Sequence, residues 1–298
     1  MLQPSDILPW VRAKAAPGDA AAVLSALDEW ATHYPMYAIG AEKGAMLDQV
    51  LSDLRPQVAL EIGTFLGYSA VRTARQLDQG GLLVCIEANP QNAAVARQII
   101  DYAGVGARVT ILEGLGSEKL PEAARIIAAA RQRARPGEGG GASGAAAAGS
   151  GGGVLAGLQA QAVEQQAEAA AAAAAGGAAG EGGAGAPPLE GRAAAAAGAT
   201  ARAAAAGGAP VDYLFLDHCK PCYLPDLLAA EALGLVGHGT VVAADNVVYP
   251  GAPGYLEHLE GVGRYATTLL AAPHEVDKPW DPNWEMGRAD AVAVSLRW

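Results

Sequence analysis

The stretch QVALEIGTFLGYSAVRTARQL, residues 57–77, decides the fold. QVALEIG is an apolar run of strand length, TFLGYS is a glycine-bearing turn, and AVRTARQL reads as a helix. The same alternation continues downstream. LLVCIEA (82–88) is a strand, PQNAAVARQIIDYAG (90–104) a helix opened by Pro90, RVTILEG (108–114) a strand and PEAARIIAAARQRA (121–134) a helix. Past residue 210, DYLFLDH is a strand, LPDLLAAEALG a helix and GTVVAADNV a strand. RYATTLLA and ADAVAVSL follow as strands with no helix between them. Upstream, residues 19–34 read as a helix with Val23, Leu24, Leu27 and Trp30 on one face. A second helix, 44–54, stops before Arg55-Pro56, because the residue preceding proline is pushed out of helical geometry. Strands alternating with helices predict an α/β fold with a Rossmann-like, mostly parallel sheet and helices on both faces. The last two strands predict an antiparallel C-terminal edge.

The 298 residues are 51% hydrophobic yet only 5% aromatic. The imbalance is local: the 73 residues 137–209 hold 32 Ala and 20 Gly. The expected organisation is one domain made of residues 1–136 and 211–298, interrupted by a low-complexity insert at 137–210. The insert lacks apolar periodicity, so it predicts a disordered, unpacked loop. Within it, 154–175 has only alanine propensity to support a fluctuating helix. It joins a helix end to a strand start, which is the amino edge of a parallel sheet. Ligands bind at the carboxyl edge, so the insert is expected to lie away from the chemistry.

Formal net charge is −11, of which −3 lies in the insert. An acidic chain argues against nucleic-acid and anionic-membrane partners. No run of about 20 apolar residues implies a membrane span. The opening MLQPSDILPWVRAKAAP has neither the pattern of a secretory signal nor that of a transit peptide. Three cysteines do not make a disulfide framework. A cytoplasmic, monomeric protein acting on a small molecule is the expectation.

Candidate sites cluster where strands end. Gly63 and Gly67 in the first turn let backbone approach a ligand, and the helix start offers N–H groups to a carboxylate; a plain structural turn has the same look. The pattern is not GxGxxG. Glu87 ends the second strand, where an acid accepts ribose hydroxyls or is simply solvated. Together these two features point to an adenosyl ligand without a pyrophosphate, S-adenosylmethionine. Asp217 ends the fourth strand; Asp245 and Asn246 end the fifth. Such a sparse oxygen set suits Mg²⁺, while a helix-cap role is the plainer alternative. Cys219 and Cys222 form a CxxC, which reads as an incidental pair, a redox pair or part of a zinc site.

With those residues in place, the sequence resembles the catechol O-methyltransferase family. ALEIGTFLGYSAVR, EANP, LFLDHCK, YLPD and GTVVAADNVVYPGAP carry the resemblance, over roughly 30–117 and 211–298. The resemblance implies that Ile39, Gly63, Tyr68 and Ser69 surround the methionine part of S-adenosylmethionine. It implies that Glu87 holds the ribose, that Ala88 and Ser117 lie by the adenine, and that Asp217 and His218 lie along the cofactor. Asp217, Asp245 and Asn246 become the Mg²⁺ ligands, Lys220 the general base, Glu275 the contact to a second catechol hydroxyl, and Pro250 a wall for the ring. The chain departs from the family at Gly116-Ser117, at Cys219 where a tryptophan stands, at Pro35 with Tyr34 and Tyr37 nearby, at Pro221-Cys222, and in DKPWDPNWEMG with Trp280 and Trp284. The implied reaction is methyl transfer from a sulfonium to a catechol oxygen. Other phenolic vicinal diols, or a redox-sensitive CxxC function, are the alternatives.

Overall fold

The computed structural model describes residues 4–34, 36–134, 153–176, 210–274 and 288–298. Among them, seven strands form one sheet in the order β3-β2-β1-β4-β5-β7-β6. These are β1 (Val58–Ile62), β2 (Leu82–Glu87), β3 (Val109–Glu113), β4 (Tyr213–Leu216), β5 (Val241–Ala244), β6 (Tyr265–Pro273) and β7 (Ala289–Arg297). The first five run parallel, and β7 runs antiparallel to both β5 and β6. The antiparallel strand therefore lies one place in from the edge, which β6 occupies. One face carries α1 (Ile7–Lys14), α2 (Ala20–His33), α3 (Gly40–Leu54), α4 (Tyr68–Ala74), α5 (Pro90–Tyr102) and α7 (Val154–Gly176). The other carries α6 (Gly116–Ala134), α8 (Tyr223–Ala232) and α9 (Tyr255–Gly261).

The local reasons are legible. All five residues of β1 are buried, as a central strand covered on both faces requires. Val58, Leu60 and Ile62 pack toward α6 and α8, and Ala59 toward the opposite layer. The same alternation aims Glu61 at the layer that contains α4. The Asp19 side chain caps α2 by accepting from the Ala22 N–H at 2.9 Å. Asn89 caps α5, where Pro90 takes the first position.

Helix α3 starts at Gly40, four residues earlier than its apolar spacing indicates. The first turn is paid for by tertiary burial rather than by a capping side chain. It carries Lys43 into the interior, where 1% of the residue is exposed.

The insert is where expectation and structure part. Val154–Gly176 is a helix, and its first half packs into the core. Leu155, Leu158 and Ala162 are buried against the face formed by α3, β6 and β7, with Leu270 and Leu296 beside them. Trp298 Nε1 donates to Gln165 Oε1 at 3.1 Å. Three apolar positions spaced three and four apart form a short stripe, hidden in the sequence by the surrounding alanines. The partner surface is the flank of β6 and β7, far away in sequence. Residues 135–152 and 177–209, the rest of the expected loop, lie outside the described residues. Leu158→Ala is expected to cost about 2–3 kcal/mol, the lower part of the core range, because α7 packs at the sheet margin. Urea denaturation checks this; an unchanged midpoint would show that α7 contributes nothing to the fold.

Connections leave β1 toward β2 on one side, and β4 pairs with β1 on the other. This is a topological switch point, and a crevice opens there at the carboxyl ends of the strands.

Candidate active site

A cavity of about 780 Å³ occupies that crevice. Its wall includes Gly63, Phe65, Glu87, Ala88, Asn92, Gly116, Ser117, Asp217, His218, Lys220, Asn246, Tyr249 and Pro250.

The turn after β1 supplies one side. Gly63 and Gly67 have φ of 92° and 88°. A Cβ on Gly63 would stand 2.2 Å from the carbonyl oxygen of Asp217, so only glycine lets the ends of β1 and β4 approach. Glu87 fastens this turn. Its Oε2 accepts from the N–H groups of Thr64 at 3.1 Å and Phe65 at 2.7 Å, and its Oε1 accepts from Asn89 N–H at 2.8 Å. Three backbone donors leave one of the roughly four acceptor directions of the carboxylate for a ligand.

Beneath the turn lies Glu61, fully buried. Burial pushes its carboxyl up to about 8, against the lowering effect of the hydrogen bond from Ser69. Ser69 Oγ donates to Oε1 at 3.1 Å, and Oε2 meets no hydrogen-bond partner among the described residues. A buried acid with an unused oxygen is the kind of group a strand-and-helix scaffold carries for a ligand rather than for its own stability.

The end of β4 supplies the opposite side. Lys220 Nζ donates to Asp217 Oδ1 at 3.0 Å and to the Tyr223 hydroxyl at 2.7 Å. The Tyr223 hydroxyl donates in turn to the backbone carbonyl of Asp245 at 3.0 Å. Its single proton is thereby committed, and its lone pairs face the lysine. His218 Nε2 lies 2.8 Å from Asp226 Oδ2, and its ring stacks on Tyr223 with centroids 5.0 Å apart. A Cβ on Gly116 would stand 2.2 Å from Asp226 Oδ2. The glycine at this position is therefore what admits the carboxylate that holds His218.

Behind the cavity, β5, β7 and α3 bring four buried polar groups together. Lys43 Nζ donates to Asp245 Oδ1 at 2.8 Å and to Asp290 Oδ2 at 2.6 Å. Asn246, at φ 56°, donates its backbone N–H to Asp245 Oδ1 and its Nδ2 to Asp290 Oδ2, both at 2.8 Å. Asp290 Oδ1 also accepts from Tyr249 N–H at 2.9 Å. Asp290 thus pins the loop that follows β5.

Of the residues expected from sequence, Gly63, Glu87, Ala88, Ser117, Asp217, His218, Lys220, Asn246 and Pro250 meet in one cavity wall. Asp245 stands directly behind Asn246 and is fully buried. Ile39, Tyr68 and Ser69 are not in the wall and stand just outside it. Ile39 is buried at the start of α3, the Tyr68 hydroxyl donates to Asp28 Oδ1 at 2.7 Å, and Ser69 reaches Glu61. The helical phase of α4 turns the first two residues after the glycine inward. Phe65, two residues before Gly67, takes the wall position. Tyr37 is in the wall, while Tyr34 packs on Trp30. Glu275, Pro35, Trp280 and Trp284 lie outside the described residues. Sequence reasoning missed Lys43, Glu61, Tyr223, Asp226 and Asp290 as contributors; the local signal for Lys43, Glu61 and Asp290 was a charged letter within an apolar helix or strand, and Tyr223 and Asp226 stand in the YLPD segment.

The combination of a switch-point crevice, a glycine turn fastened by the acid ending β2, and a lysine held at the end of β4 defines a class: methyltransferase-type α/β enzymes acting on oxygen. A sequence profile of the family described as O-methyltransferase matches residues 17–126. The catechol O-methyltransferase of Sus scrofa is 30% identical over 234 residues, covering 78% of this chain and 83% of that one. That of Bos taurus is 28% identical over 281 residues, covering 92% and 72%. Among solved structures, the O-methyltransferase TomG from Streptomyces achromogenes, in complex with SAM, superposes with a TM-score of 0.53 at 21% identity, covering 100% and 99%. The chain belongs to the catechol O-methyltransferase family. No described helix is long and apolar enough to cross a membrane.

Proposed function

We propose that this protein transfers the methyl group of S-adenosylmethionine to a hydroxyl of a catechol, with Mg²⁺ as cofactor. The observation that carries the reading is Lys220, held between Asp217 and Tyr223 in the same cavity as the glycine turn and Asn246.

The residues fit the cofactor. Glu87 keeps an acceptor direction for a ribose hydroxyl, and Ala88, Gly116 and Ser117 line the same wall. The aimed polar groups lie on strand ends and helix starts, which hold them rigidly. The residues also fit a small hard cation. Among the described residues no three His, Cys, Asp or Glu side chains form a metal cage. Asp217, Asp245 and Asn246 make instead a sparse oxygen set that leaves room for water and substrate oxygens. Lys43, Asp245 and Asp290 together carry one positive and two negative charges, so added positive charge nearby is complementary. When bound there, Mg²⁺ supplies stabilisation of a catecholate oxygen.

The chain's own residues do the rest. Lys220, in its neutral form, takes the proton of the reacting hydroxyl at Nζ. Asp217 and Tyr223 fix where that nitrogen stands. Pro250 and Tyr249 limit how the acceptor ring tilts, which aligns its oxygen with the methyl group.

The test is a panel of catechols and mono-phenols assayed with S-adenosylmethionine, with and without EDTA. Mono-methylated catechol is expected, abolished by EDTA and restored by Mg²⁺. Turnover that survives EDTA, or equal turnover of mono-phenols, would overturn the reading.

A further inference from the structure

Two thiols stand on the turn that carries Lys220. Cys219 is exposed, Cys222 is half-buried, and both belong to the cavity wall. The third cysteine, Cys85, is fully buried in β2 and out of reach of reagents. The Cys222 N–H donates to the Cys219 carbonyl at 2.8 Å, closing the short 3₁₀ turn Lys220–Cys222. Side chains three apart eclipse one another in such a turn. A hydrogen-bonded four-residue turn holds its end Cα atoms within about 7 Å, close to the upper limit that a disulfide spans. Pro221 between the two thiols limits the backbone freedom that closing the ring would otherwise cost.

We infer that Cys219 and Cys222 form a reversible intramolecular disulfide, and that its formation slows the methyl transfer by displacing Lys220. The inference rests on the reading of Lys220 given above. The chemistry is thiol–disulfide exchange with a low-molecular-weight disulfide such as glutathione disulfide. The Cys219 thiolate attacks one sulfur of the oxidant, and the first small thiol leaves with a proton. The Cys222 thiolate then attacks the Cys219 sulfur of the mixed disulfide, and the second small thiol leaves with a proton. The protein has lost two protons and two electrons, and the oxidant has gained both.

The consequence follows from geometry. In the reduced form Cys219 extends along the cavity wall, while Lys220 reaches across to Asp217 and Tyr223. Joining the sulfurs draws Cys219 in toward Cys222 and tightens a ring that contains Lys220. A nitrogen that must meet a substrate proton within about 3 Å tolerates little displacement.

The experiment uses the full chain, reduced with dithiothreitol, desalted and exposed to glutathione disulfide. Intact mass and peptide mapping are expected to show a loss of two hydrogens and a Cys219–Cys222 crosslink. Turnover of a catechol is expected to fall at least threefold and to return with dithiothreitol. Cys222→Ser is expected to stop at the glutathione adduct on Cys219, and Cys219→Ser to form no intramolecular bond. Each variant is compared with itself before and after oxidant. A wild-type protein that carries only a glutathione adduct, or a crosslinked protein with unchanged turnover, overturns the inference. A reduced protein without catechol methylation overturns the functional reading instead, and the mass measurement still decides whether the disulfide forms.

Discussion

Lys220→Ala is expected to lower the turnover of a catechol by about 10²–10⁴-fold, the range typical of a removed general base. The binding of S-adenosylmethionine, measured by calorimetry, is expected to change by no more than a few-fold. The separation follows from the contacts. Lys220 bonds Asp217 and Tyr223 and meets the cavity at the acceptor side, whereas the glycine turn, Glu87 and Ala88 lie on the wall formed by β1 and β2. Tyr223→Phe supplies the graded case. It removes the hydroxyl that bridges Lys220 to the Asp245 carbonyl, so the lysine keeps one of two anchors. A loss of roughly tenfold is expected, consistent with one displaced hydrogen bond near 1.5 kcal/mol. If Lys220→Ala turns over like the parent, the lysine has no role as base, and a solvent-linked proton path must replace it.

The second large effect concerns stability. Lys43→Met is expected to destabilise the fold by about 3–5 kcal/mol, as removing one member of a buried ionic group does. Lys43 is the cation between Asp245 and Asp290, and all three side chains are buried. Its removal leaves two carboxylates close together with no ammonium between them. The methionine fills similar volume, so lost packing contributes little and the electrostatic cost dominates. Domains are stable by only about 5–15 kcal/mol, so the urea midpoint should fall steeply. Adding Asp290→Asn to Lys43→Met is expected to recover part of the loss, because one buried charge goes with it. Full stability in the single variant would mean that the interior around Asp245 is wetter than its burial indicates.

Much of the fold and about half of the site were legible in the sequence, for different reasons. Strand ends following apolar runs place Asp217 and Asp245, since each residue beyond a buried parallel strand reaches the carboxyl edge. The glycine turn was visible because positive φ and a close backbone approach both demand glycine. Tyr68 and Ser69 lie off the wall because a motif gives sequence distance from the turn, while the phase of α4 sets which side chains face the cavity. Asp290 was invisible because β7 enters the sheet between β5 and β6. An antiparallel strand begins at the edge where its parallel neighbour ends, so Asp290 arrives beside Asn246 from 44 residues away. Lys43 was missed for a related reason. Its helix begins a turn earlier than apolar spacing indicates, and the partners that allow a buried lysine lie on two other elements.

The sequence by itself determined the class of sheet, the edge on which chemistry sits and the family motifs, because each depends on contacts within about 20 residues or on the period of apolar letters. Only the tertiary structure decided what Lys43, Glu61 and Asp290 do, and that part of the Ala-rich insert is a packed helix. Those outcomes depend on distant surfaces meeting: a buried charge on its counter-ion, and a weak apolar stripe on the uncovered flank of β6 and β7. Burial and charge neutralisation are properties of an assembled interior, and no local spacing carries them.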